Sequence, residues 1–94
     1  MDIEEYKASL HQPKPSPDLN RPLQALWYAA KGNWHKAHEL VQDEPDADSA
    51  WVHAYLHRVE GDKFNAAYWY NRASRPISSE TFNKEWEKIA FNLI

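Results

Sequence analysis

Gly32 and Gly61 constrain this chain more than any other residues. Each opens the same frame, a glycine with an aromatic just after it and an alanine at the fifth following position: Gly32-Asn-Trp34…Ala37 and Gly61-Asp-Lys-Phe64…Ala66. Each glycine follows a helix-length apolar stretch and precedes another. Glycine tolerates the left-handed backbone at a helix C-terminus, and Asn33 or Asp62 can cap the helix that follows. The frame therefore predicts two consecutive helical hairpins.

The rest of the chain fits one small domain over residues 1–94. Five Trp, five Tyr and three Phe supply bulky side chains for the core of a chain this short. The absence of Cys excludes disulfides, thiolate metal sites and Cys nucleophiles. No apolar run reaches the ~18 residues of a membrane span, and the acidic start Met1-Asp-Ile-Glu-Glu5 is unlike a signal peptide. A cytoplasmic protein with no membrane partner is expected. The net charge is −3 with Lys and Arg scattered, which argues against a nucleic-acid partner.

Local signals place the helices. Asp2 and Glu5 have capping-box spacing at the head of a helix over 2–11, with Ile3, Tyr6 and Leu10 on one face. Pro13, Pro15 and Pro17 make 13–19 an extended linker. Asn20 and Pro22 start a second helix that runs to Lys31, and a third covers Trp34 to about Gln42. Asp43–Asp48 is an acidic turn, with Asp48 or Ser49 capping a helix over 50–60. A fifth helix spans 63–73, Arg75-Pro76 ends it, and Ser78 or Ser79 caps a last helix over 79–92. The expected fold is all-α. Two antiparallel hairpins occupy 20–76, with an N-terminal capping helix in 1–12 and a C-terminal one in 78–94.

Residues 21–76 resemble the tetratricopeptide (TPR) superfamily of α/α repeats. The matching positions are Ala25, Tyr28, Gly32, Ala37 and Val41 in one unit, and Ala54, His57, Gly61, Ala66, Tyr70 and Pro76 in the next. The two glycines are 29 residues apart, against ~34 in the standard repeat, and His53 and His57 stand where the family has an apolar residue and an aromatic. The stretch Ala66-Ala-Tyr-Trp-Tyr-Asn-Arg-Ala73 is similar to the helix ending of a related short-repeat class. The wider pattern from His53 to Tyr70, with Glu60-Gly-Asp62, Asn65-Ala66 and Tyr68-Trp-Tyr70, is similar to a family of small proteins and implies no activity. The TPR resemblance implies a non-enzymatic scaffold that binds a protein or peptide. Its inner face would expose Trp27, Trp51, Tyr55 and Arg58 to a groove, since aromatic and Arg side chains make good interface anchors. A weak homodimer is compatible with that role.

The histidines carry the competing chemistry. His35 and His38 lie three apart, and His53, His57 and Glu60 share one helix face. Imidazoles at i, i+4 can hold one metal ion, and the repeat register points His38 from the first hairpin towards them. His38, His53, His57 and Glu60 are thus a candidate metal set. With no H-E-x-x-H present, spacing alone favours a packed polar network, and no cofactor or metal is expected. Arg58, Glu60, Asp62, Arg72 and Arg75 could hold an anion, but read more simply as helix-surface salt bridges. The acidic turn lacks the ligand order and glycine of a calcium loop. Pro13–Pro17 reads as a spacer rather than an SH3-type ligand. No G-x-S-x-G and no phosphate-cradling loop is present, so no catalytic residue is assigned.

Overall fold

A computed structural model describes all residues from Met1 to Ile94. It contains six α-helices and no strand: α1 (Ile3–Ala8), α2 (Arg21–Ala30), α3 (Trp34–Val41), α4 (Ala47–Glu60), α5 (Lys63–Arg72) and α6 (Phe82–Leu93). A short 3₁₀ turn, Ser9–His11, extends α1. No helix is long and apolar enough to cross a membrane.

The all-α expectation holds, and the local chemistry explains the boundaries. Asp2 and Glu5 form the reciprocal capping box. Asn20, Asn33 and Asp62 each accept a backbone N–H from the third residue after them, closing the first turns of α2, α3 and α5. Gly32 and Gly61 sit at φ +80° and +91°. In both turns the glycine N–H bonds back three residues and the next N–H bonds back five: Gly32 to Ala29 and Asn33 to Tyr28, then Gly61 to Arg58 and Asp62 to His57. The same pair of bonds ends α5, from Ser74 to Asn71 and from Arg75 to Tyr70, but there a serine takes the left-handed position at φ +57°.

The short turns fold α2 onto α3 and α4 onto α5 as antiparallel pairs. Arg21, at the start of α2, donates to the Leu40 carbonyl near the end of α3 at 3.0 Å. Arg75, just beyond α5, lies over the Trp51 ring near the start of α4, 3.8 Å from its centroid. Small residues stand where the helices meet: Ala25, Ala37, Ala54 and Ala66 are all buried.

Two starts differ from the sequence reading. Helix α4 begins earlier, because Asp46 rather than Asp48 or Ser49 caps it, accepting the Ser49 N–H at 2.9 Å. Helix α6 begins later, at Phe82. Thr81 has the extended backbone of a cap and accepts the Lys84 N–H, whereas Ser78 closes a local turn onto the Glu80 N–H.

Helix α4 is the central element. Every residue from Ser49 to His57 is buried, because α2, α3, α5 and α6 all pack on it. Helix α6 does not extend the row of hairpins. It lies across α2 and α4, where the Trp86 indole donates to the Leu26 carbonyl at 2.8 Å and stacks on Tyr6 at 5.6 Å. The Tyr6 hydroxyl donates to the Leu23 carbonyl at 2.5 Å, so α1 and α6 cover α2 together.

Candidate metal centre

The expected groove is closed by the chain itself. Trp27, Trp51 and Tyr55 are only 1%, 3% and 7% exposed and belong to the core. Trp27 lies under the turn after α1, its indole directed at the Ser9 oxygens at 3.2–3.3 Å. These three rings are therefore core rather than exposed groove residues, with the turn after α1 over Trp27 and Arg75 over Trp51.

Arg58, the fourth expected anchor, holds α6 in place. Its Nη1 donates to Glu85 Oε1 at 2.8 Å and its Nη2 donates to the Glu80 carbonyl. Glu85 is 2% exposed and also accepts the Tyr70 hydroxyl. Burial, reinforced by Glu85, pushes the Tyr70 phenol well above its ordinary range, so it stays a donor. Arg58 and Tyr70 thus satisfy a carboxylate that would otherwise be costly to bury.

The histidines do converge. One ring nitrogen from each of His38, His53 and His57 lies within 4.8 Å of the others. His53 and His57 come from successive turns of α4, and His38 reaches them from α3. The His38 and His53 Nε2 atoms are 3.0 Å apart. Two nitrogens on one tetrahedral ion at about 2.0–2.1 Å would stand about 3.3 Å apart, so this pair is near the spacing an ion needs, and without one it makes an N–H···N hydrogen bond. His57 Nδ1 contacts Glu60 Oε2 at 2.5 Å. A carboxylate only accepts, so Nδ1 carries a proton, and Nε2 is the nitrogen left to face the other two rings. Glu60 thus orients the His57 ring, and stands where the outer carboxylate of a ligating imidazole would stand. A second grouping, His57 with Glu60 and Asp62, lies at the end of the same helix.

Aromatic walls fix the rings. Trp34 stacks on His38 with centroids 4.7 Å apart and planes 11° apart, and Trp69 stacks on His53 at 4.0 Å and 22°. The Trp34 indole donates to the Leu56 carbonyl at 2.8 Å, tying α3 to α4 beside the cluster. Burial, with His38 and His57 close by, pulls His53 from 6.5 down to about 3. Burial, followed by the His57 charge, also lowers His38. Both are therefore neutral near pH 7, the state a metal requires. The His53 Nδ1 is buried without a partner, and an ion held on Nε2 would leave it so.

The sequence located the three histidines but not their walls. Trp34 was legible only as the aromatic of the first glycine frame, and nothing distinguished Trp69 from its tyrosine neighbours. Glu85 carried no signal, because its partners lie 27 and 15 residues away. His35 contacts the edge of Trp34, outside the three-nitrogen cluster. No family model matches this chain, and neither does any curated protein or solved structure.

Proposed function

We propose that this protein binds one divalent first-row transition-metal ion through His38, His53 and His57, with Glu60 as the outer carboxylate. The observation that carries the reading is the convergence of three ring nitrogens from two hairpins. Three imidazoles without a thiolate suit Zn²⁺ or Cu²⁺ and give little purchase to Ca²⁺ or Mg²⁺. Such an ion would also join α3 to α4, linking the two hairpins.

The reading is of a metal-binding helical module rather than an enzyme. The five main surface clefts include none of the three histidines, so binding of the ion itself is better supported than turnover of an organic substrate. The TPR-like scaffold remains part of the proposal, as the frame that sets His38 opposite His53.

Elemental analysis of protein purified without a His-tag tests this. About one Zn or Cu per chain is expected, with loss of the metal in His53→Ala. Metal-free protein whose melting temperature ignores added Zn²⁺ and Cu²⁺ would overturn the reading, because a ligand of the native state alone must raise stability.

A further inference from the structure

A cleft of about 500 Å³ lies away from the histidines, between α5 and the segment that leads into α6. It is lined by the buried Ala66 and Tyr70, by Ile77 and Phe82, and by the charged Arg58 and Lys63. Ile77 is 65% exposed and Phe82 45% exposed, so two large apolar side chains of the lining face solvent. The cleft is large enough for an aromatic or branched aliphatic side chain with its flanking backbone.

The charges of the lining are asymmetric. Arg58 is neutralised by Glu85 and also stacks on the Phe82 ring at 4.9 Å. Lys63 takes part in none of the five ion pairs of the structure. An apolar cleft thus carries one cation that no carboxylate of the chain neutralises.

We infer that this cleft docks a short segment of another protein, in which a bulky apolar residue is followed by an acidic one. The apolar side chain fills the space between Tyr70 and Ile77, and the carboxylate pairs with Lys63. Apolar anchoring supplies affinity, while the free ammonium selects an acidic neighbour over a basic one. The inference does not depend on the metal centre, which is built from other residues.

Selection of a random heptapeptide display library against the full-length chain tests it. The selected peptides are expected to share a bulky apolar residue followed by Asp or Glu. Lys63→Glu should weaken a selected synthetic peptide at least tenfold, and Ile77→Ser should abolish measurable binding. Both positions tolerate the change: Ile77 is largely exposed outside any helix, and a Glu at the first position of α5 suits the helix dipole. No consensus, a basic consensus, or binding unaffected by Lys63→Glu would overturn the inference. So would concentration-dependent self-association that Ile77→Ser removes, since the cleft would then belong to a second copy.

Discussion

Replacing Arg58 by Leu should strand the most deeply buried carboxylate of the molecule. Glu85 is 2% exposed and depends on Arg58 Nη1 at 2.8 Å and on the Tyr70 hydroxyl. Removing one partner of a buried pair typically costs about 3–5 kcal/mol, because the remaining charge stays desolvated. A chain of this length has roughly 5–14 kcal/mol to lose. At about 4–8 °C per kcal/mol, the melting temperature should fall by at least about 12 °C. Glu85→Leu should be milder, at about 1–3 kcal/mol, since the Arg58 side chain is already 19% exposed and can turn to water while the buried Tyr70 hydroxyl loses its acceptor. The double variant, apolar on both sides, should recover at least about 2 kcal/mol relative to Arg58→Leu alone. Urea unfolding followed by tryptophan fluorescence, with EDTA present to remove any metal contribution, measures all four proteins. An Arg58→Leu penalty below about 1 kcal/mol would refute the clamp, as would a double variant as unstable as the sum of the singles.

Two further outcomes follow from the turns and the cluster. Ser74 holds φ +57° in a turn that elsewhere uses glycine, so Ser74→Gly should stabilise the chain by about 0.5–1 kcal/mol in the same assay; a loss of stability would show that the serine is not strained. His53 is held at about 3 in the native chain and takes up its proton near 6.5 when unfolded. In metal-free protein its contribution is complete above pH 6.5 and is lost as pH falls towards 3. At about pH 5 this residue alone should cost about 2 kcal/mol. His53→Leu should remove that part of the pH dependence, and identical pH profiles for the two proteins would contradict the burial argument.

The features legible in the sequence are those set by neighbours along the chain. The capping box at Asp2, the caps at Asn20, Asn33 and Asp62, and both glycine turns each need only a few residues of context. The histidine set was legible for a related reason. Helix periodicity aligns His53 with His57, and hairpin order brings His38 opposite them. What depended on distant contacts was not legible. The path of α6 over α2 is fixed by Trp86 bonding to Leu26, 60 residues away. No local pattern announces that contact, nor those of Ser9 with Trp27 and of Arg75 with Trp51 that help to make these rings core. The role of Glu60 was similarly hidden, because spacing cannot tell a ligand from the partner of a ligand. Ser78 and Ser79 were plausible caps along the chain, whereas Thr81, which caps α6, was not singled out.

The central claim is that three imidazoles form one metal site, and titration of tag-free, EDTA-treated protein with Co²⁺ tests it most directly. Cobalt reports its own coordination through its visible spectrum. A one-to-one end point is expected, with the intense bands of four-coordinate cobalt, displaced by one equivalent of Zn²⁺. His38→Ala and His53→Ala should each abolish the bands, while Glu60→Gln should keep them and weaken binding by about 10–100-fold, as expected of an outer-shell partner. A spectrum indistinguishable from hexa-aqua cobalt, in protein shown to be folded by circular dichroism, would contradict it.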